Sequence, residues 1–130
     1  MISHTTVTAV ALAILIPYIA RVPGMAVHGP DWLWSYFPSL FGIAFFAAFA
    51  AIPGAALAFL AHMMPQHSFA FSLGAAAMTV ALFFLHASLD LASDSTAAIA
   101  LVIFPFLAMI MMIGGFAVGV ASTWLATRRR

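Results

Sequence analysis

Four long apolar runs occupy most of the chain and are separated by short polar breaks. Each run is close to the roughly 20 residues that an α-helix needs to cross a hydrocarbon layer about 30 Å thick. A soluble domain of 130 residues cannot cover so much apolar surface, whereas lipid solvates the side chains and a helix satisfies its own backbone hydrogen bonds. The runs therefore predict four transmembrane helices, at about Thr5–Val22, Leu40–Ala61, Phe69–Leu89 and Ala97–Ala126.

The composition supports the same class of protein. Hydrophobic residues make up 66% of the chain and charged residues only 5%, against roughly 25% charged residues in an ordinary soluble domain. Because the chain has no Lys and few Arg, it lacks the basic face that binding to nucleic acid requires. Without Cys it has no disulfide, no thiolate nucleophile and no Cys-based metal site. The absence of Lys beside abundant Ala favours a bacterial source.

The arginines at the C-terminus are the clearest topology signal. Under the positive-inside rule, Arg128, Arg129 and Arg130 lie on the cytoplasmic side of a bacterial inner membrane. Four spans then return the N-terminus to the same side and place the first and third loops outside. Arg21 falls at the external end of the first run, where a long side chain is able to snorkel to the headgroups. We expect an all-α integral membrane protein in which 1–130 form one compact antiparallel bundle.

The first loop is rich in aromatic residues. Trp and Tyr favour the headgroup region, where the ring is half buried and its polar atom stays hydrated. Asp31 stands at an N-cap position directly before the aromatic segment. We expect a short interfacial helix over Trp32–Phe37, or alternatively a lid over an external cavity. The predicted interfacial anchors are Trp32, Trp34 and Tyr36.

Small residues recur at spacings that place them on one face of a helix. Such stripes let the backbones of neighbouring membrane helices approach closely. In the second run the stripe predicts helix contacts at Ala44, Ala48, Ala51, Ala55 and Ala58. In the third and fourth runs the predicted packing glycines are Gly74, Gly115 and Gly119. Bulky residues off the stripes are expected to face lipid or another subunit, among them Phe45, Phe46 and Phe84.

Pro53 and Gly54 lie near the middle of the second run. Proline removes a helical hydrogen bond and kinks a helix, a defect that membrane helices tolerate. Broken helices line the substrate sites of many transporters, so the pair is a candidate hinge. The alternative is that Pro and Gly are simply commoner in membrane helices than in soluble ones.

Ionisable side chains inside a membrane are costly, so each one is a functional candidate. His86 and Asp90 are four residues apart, and at that spacing an imidazole and a carboxylate on one helix face meet. The pair is a candidate proton relay or gate, unless both residues lie among headgroups and water at the helix end. The predicted topology places His28 and Asp31 on the external side of the membrane, together with His86 and Asp90. These four residues form a candidate site for a divalent metal.

The scarcity of buried polar groups predicts a role without enzymatic chemistry. The leading hypothesis is an accessory or structural subunit of a larger membrane complex, or a homo-oligomer. Its partners would be the lipid bilayer and other membrane subunits or copies of itself, and not nucleic acid. A small channel or transporter with a broken second helix is one alternative. A metal- or cofactor-handling membrane protein is the other, and no cofactor is predicted beyond a divalent metal.

Overall fold

The computed structural model describes residues 4–34, 40–87, 89–90 and 97–128. Helix accounts for 88% of these residues and they contain no strand, which confirms the all-α class. The apolar runs form α1 (His4–Ile19), α4 (Leu40–Met63), α5 (Ser68–Ala87) and α6 (Ala97–Arg128). Two one-turn helices lie in the first loop, α2 (Met25–His28) and α3 (Asp31–Trp34). Three helices in this part of the chain, α4, α5 and α6, are long and apolar enough to cross a membrane.

Helix α1 is shorter than its apolar run predicts. The run continues to Val22, but the helix has 16 residues and ends at Ile19, so it rises only about 24 Å. Beyond this end the chain winds more tightly, because the Arg21 amide bonds to the carbonyl of Tyr18, three residues back. The following Pro23 favours this ending, since a residue before proline avoids the α-helical conformation. Helix α1 therefore falls below the usual length of a membrane span.

The other helix ends differ from the predicted ones by a few residues. Helix α4 continues two residues further, α5 ends two residues earlier, and α6 reaches Arg128. Only four residues, 64–67, join α4 to α5. Within this connection the His67 amide donates to the Met64 carbonyl at 3.0 Å.

All four long helices contribute to one apolar core. The most extensive contacts join α5 with α6 and α1 with α4. Helix α1 takes part along its length, although it is the shortest of the four. Fully buried members of the core include Ala9 and Ala13 of α1, Leu57 of α4, Met78 and Leu82 of α5, and Met112 of α6.

Glycines allow the closest of these helix contacts. A methyl group at Gly119 would collide with the backbone of Ala70, and one at Gly115 would lie 2.7 Å from the Leu73 carbonyl oxygen. The space at Gly74 is less tight, with the nearest atom of a neighbouring helix 3.0 Å from an added methyl group. All three predicted packing glycines thus lie where neighbouring helices are close, and the two on α6 face the backbone of α5.

The Pro53-Gly54 pair lies inside an unbroken helix. Pro53 is in the interior of α4 and fully buried, so the helix break predicted at this pair is absent. A methyl group at Gly54 would collide with the backbone of Ala9 and Val10. The pair therefore marks the place where α4 packs tightly against α1. Its role as a hinge stays a prediction.

The outward face of α4 differs from the predicted one at Phe46 but not at Phe45, which is exposed as expected. Phe46 is 2% exposed and packs with Ala50 and Leu101, whereas we expected it to face lipid or another subunit. Conversely, the side chains of Ala44, Ala48 and Ala55 are exposed. This run is apolar on every side, so no polar face marks which residues point outward. We call Ala44, Ala48 and Ala55 the alanine stripe of α4.

Candidate functional site at the buried arginine

Arg21, just beyond the end of α1, is a charged residue that the fold encloses completely, with 0% of its surface exposed. The expectation that it snorkels to the headgroups is therefore wrong. Its Nε donates to the carbonyl oxygen of Trp32 at 2.9 Å, and its Nη1 donates to that of Leu89 at 2.7 Å. These bonds compensate for burial of the charge, which would otherwise be very unfavourable. They also join the end of α1 to the first loop and to the segment after α5.

Arginine suits this position because its planar guanidinium donates in more than one direction at once. Its two acceptors are carbonyls near helix ends, where the regular pattern of helical bonds leaves oxygens without partners. Leu89 lies beyond the last residue of α5, and Trp32 belongs to the one-turn helix α3. Hydrogen bonds from a charged donor are short and strong. One side chain thus ties together three segments that are distant in the sequence.

The indole of Trp32 covers the guanidinium. The Arg21 Cζ lies 4.0 Å from the centroid of the ring, within the range of a cation–π interaction. The imidazole of His28 stacks on the same indole at a centroid distance of 4.1 Å. Gly24 leaves room for this stack, because a methyl group there would collide with the indole. We call Arg21, Gly24, His28, Trp32 and Leu89 the arginine clamp.

The aromatic segment of the first loop is described only in part. Its helix begins at Asp31 itself rather than after it, and Trp34 is its last residue. The predicted continuation to Phe37 lies outside the described residues, as do Tyr36 and the side chain of Trp34. The Trp32 ring packs against Arg21 and His28. Whether these residues anchor the loop at the membrane interface stays a prediction.

His86 is enclosed by aromatic rings at the same end of the molecule as the clamp. It is 1% exposed, so the alternative of a solvated histidine among headgroups does not describe it. The imidazole meets Phe104 at a centroid distance of 5.1 Å and Phe46 at 5.8 Å, edge to face in both cases. Tyr18 extends the group by packing edge-on against Phe46 at 5.7 Å. Side chains of α4 and α6 thus pack against a histidine of α5, and α1 contributes through the contact of Tyr18 with Phe46.

Asp90 lies next to the clamp but beyond the helix. It directly follows Leu89, whose carbonyl accepts a bond from Arg21. Because α5 ends at Ala87, the helical four-residue spacing between His86 and Asp90 does not extend to the carboxylate. A relay or gate formed by this pair therefore stays a prediction, and it would depend on the loop after α5 instead of on a helix face.

The four residues predicted to bind a divalent metal do not form a metal-binding group. His28 stacks on Trp32, and the rings of Phe46 and Phe104 lie against His86. Within the described ranges, no three His, Asp or Glu side chains are close enough together to hold a metal ion. The geometry of this part of the chain gives the metal hypothesis no support.

Sequence reasoning missed the clamp because its contacts are distant along the chain. The two carbonyls that accept bonds from Arg21 are 11 and 68 residues away. A single Arg at the end of an apolar run carries no local sign of burial. The adjacent Pro23-Gly24 pair indicates a turn, but it does not indicate that an indole fills the space beside the glycine.

The clamp is suited to fixing the path of the chain. Both hydrogen bonds of Arg21 end on backbone carbonyls, and an indole covers the cation. The arrangement stabilises the junction of α1, the first loop and the end of α5. Comparison of the chain with family models, with curated proteins and with solved structures finds no match.

Proposed function

We propose that this chain is a small multi-pass membrane protein that acts by lateral assembly. It would be an accessory or structural subunit of a larger membrane complex, or a homo-oligomer. The alanine stripe of α4 carries the proposal. A single chain leaves this stripe exposed, and small residues at such spacing let the backbones of membrane helices approach closely. A face that packs against another subunit fits the stripe better than a face covered by lipid alone.

We further propose that α1 is a fourth span and that the four long helices form an antiparallel bundle. Ala9 and Ala13 of α1 share a core with Leu57 of α4, which supports a position of α1 at the same depth as the longer helices. Contacts of Gly119 with Ala70 support opposite directions for α5 and α6, because the end of one helix meets the start of the other. In a bacterial inner membrane, both termini would then be cytoplasmic.

The unbroken helix α4 favours assembly over the channel or transporter alternative. That alternative required an interrupted second helix with free backbone groups facing a pathway. In its place, Gly54 forms a close contact with α1. Arg21 is buried, and its side chain donates hydrogen bonds to backbone carbonyls of its own chain. These contacts support a structural role for Gly54 and Arg21, and not a role in a transport pathway.

Oxidative cross-linking tests the stripe directly, because the chain contains no cysteine. Ala48→Cys places a single thiol on the stripe, and Ala76→Cys, on an exposed position of α5, is the matched control. If the protein is a homo-oligomer, oxidation in its own membrane should give a dimer from Ala48→Cys and little from Ala76→Cys. Equal cross-linking of both variants would indicate random collision.

Native mass spectrometry after gentle extraction distinguishes the two forms of assembly. A multiple of the 13.8 kDa chain indicates a homo-oligomer, and a heavier mass with other chains indicates a subunit. In either case Ala48→Trp should dissociate the complex, whereas Ala76→Trp should leave it intact. A monomer in native mass spectrometry, together with no cross-link at position 48, would contradict the proposal.

A further inference from the structure

An open apolar groove lies where α4 and α6 end, away from the arginine clamp. It has a volume of about 520 Å³. Leu60 and Met64 form the wall on the α4 side, and Val120 and Trp124 form the wall on the α6 side. Phe116 is buried and forms the floor. Every lining side chain is apolar, so the groove offers little to a polar ligand and much to a hydrocarbon chain.

The length of the groove matches one leaflet of a bilayer. It extends along α6 from Ile113 to Trp124, a rise of roughly 17 Å. This is about half of a hydrocarbon layer that is roughly 30 Å thick. Trp124, at the end nearest the C-terminus, belongs to the residue type that concentrates at the boundary between hydrocarbon and headgroups.

A cation is held at this end of the groove. The Arg128 Cζ lies 3.7 Å from the centroid of the Trp124 ring, and the sequence continues with two more arginines. The three acidic residues of the chain, Asp31, Asp90 and Asp94, all belong to the first and third loops. The three Asp side chains are therefore distant from Arg128 in the sequence, and the side chains at this end of α6 carry positive charge.

We infer that the groove between α4 and α6 binds an anionic phospholipid. One acyl chain would lie along the apolar lining, and the headgroup phosphate would bind at Arg128. Guanidinium groups pair well with phosphate because their donors form a planar fork. Arginines close to a membrane surface also attract anionic lipids. The inference depends on α6 being in a membrane and does not depend on the assembly proposed above.

A second groove provides a matched control. It lies between α5 and α6, has a volume of about 420 Å³, and its lining includes Ala81, Phe84 and Leu107. Its lining is apolar and uncharged, as is that of the first groove. The two grooves differ because Arg128 stacks on Trp124, which lines the first groove. Any lipid should occupy this second groove without regard to headgroup charge, whereas only the groove at Arg128 should select an anionic lipid.

Native mass spectrometry in mixed micelles tests the inference. The full chain is equilibrated with equal amounts of phosphatidylglycerol and phosphatidylcholine, and the lipids that remain bound are counted. We expect the protein to retain phosphatidylglycerol preferentially. Arg128→Gln, at an exposed position, should reduce this preference about five-fold, the effect expected of one arginine near an anionic surface. Ala121→Phe, which fills the groove, should remove the bound lipid, whereas Ala81→Phe should not change the preference.

Three results would overturn the inference. The first is equal retention of both lipids by the unsubstituted protein. The second is an equal effect of Ala121→Phe and Ala81→Phe, which would show that the two grooves do not differ. The third is a dimer that Ala121→Phe dissociates, because a second copy of the chain would then occupy the groove. Arg128→Gln keeps the test valid even if a groove-filling variant folds poorly, since this side chain lies outside the core.

Discussion

The hydrogen bonds of Arg21 to the Trp32 and Leu89 carbonyls link segments that are far apart in the sequence. Neither segment is part of a long helix, so helix packing alone does not fix their positions. A buried guanidinium that has lost its water is stable only while these acceptors stay in place. The side chain and the two backbone segments therefore stabilise one another, and removing the side chain should release both segments.

Substitution of Arg21 tests this mutual dependence. Arg21→Gln should lower the free energy of unfolding by roughly 3 kcal/mol, because two hydrogen bonds from a charged group are lost. Arg21→Lys should also destabilise the protein, since a single ammonium group does not reproduce the two directions of the guanidinium. Unfolding by SDS in mixed micelles, followed by circular dichroism, measures both effects. His62→Gln, at an exposed site near the end of α4, is the control and should have little effect.

Substitution of His86 is a second test at this scale. A buried His86 should cost stability when it is removed, whereas a His86 among lipid headgroups should not. His86→Ala would leave a cavity between Phe46 and Phe104, and cavities of this kind cost about 2–4 kcal/mol. His62→Ala, exposed near the end of α4, should change stability by less than about 0.5 kcal/mol. Thermal unfolding in one detergent compares the two variants. Equal stability of both would contradict the enclosed position of His86.

At the scale of the helix, run length was more informative than residue pattern. Apolar runs predicted the positions of α4, α5 and α6 to within a few residues, because crossing a hydrocarbon layer sets a minimum length. The faces of these helices were harder to predict. In a soluble protein, polar residues mark the outer face, but in α4 both Phe46 and Ala48 are apolar and only packing shows which is inside. The inward position of Phe46 follows from contacts with α1 and α6 that the sequence does not reveal.

Two glycines of α6 test how closely this helix approaches α5. Gly119→Ala places a methyl group against the backbone of Ala70, and overpacking of this kind typically costs about 1–3 kcal/mol. Among the described residues nothing lies within 4 Å of a methyl group added at Gly114. Gly114→Ala should therefore be neutral, or stabilising by roughly 0.5–1 kcal/mol, because Ala is the better helix former. The difference in unfolding midpoint between the two variants measures the contact.

If Gly114→Ala and Gly119→Ala destabilise the protein equally, the loss of stability results from reduced backbone flexibility. The close approach of α5 and α6 would then not explain it. The comparison is well matched, since both changes add one methyl group to the same helix. It also separates a packing role from the mere abundance of Gly in membrane helices.

At the scale of the whole molecule, the length of α6 and the distribution of charge set the position of the chain in a membrane. Helix α6 has 32 residues and rises about 48 Å, more than a hydrocarbon layer of about 30 Å requires. It must tilt or extend beyond the layer. The composition was sufficient to predict membrane helices, but the clamp depended on which helix ends meet, and no local pattern encodes that arrangement.

Whether α1 crosses the membrane can be tested by locating each of its two ends relative to the membrane. At about 24 Å the helix is short, yet it packs into the core with the longer helices. Because the chain has no cysteine, single thiols can be placed at exposed sites and labelled from outside with a membrane-impermeant maleimide. The exposed sites are His4 at the start of α1, Val27 in the first loop and Thr127 near the end of α6.

If all four long helices cross the membrane, His4→Cys and Thr127→Cys should be protected in intact cells, and Val27→Cys should be labelled. The positive-inside rule gives the direction, because the C-terminal arginines favour the cytoplasm. If only α4, α5 and α6 cross, His4→Cys and Val27→Cys should both be labelled, since α1 would then lie on the outer side. Permeabilised cells provide the control, because all three thiols should react there. Labelling at position 4 in intact cells would thus contradict the four-span arrangement without affecting the other three helices.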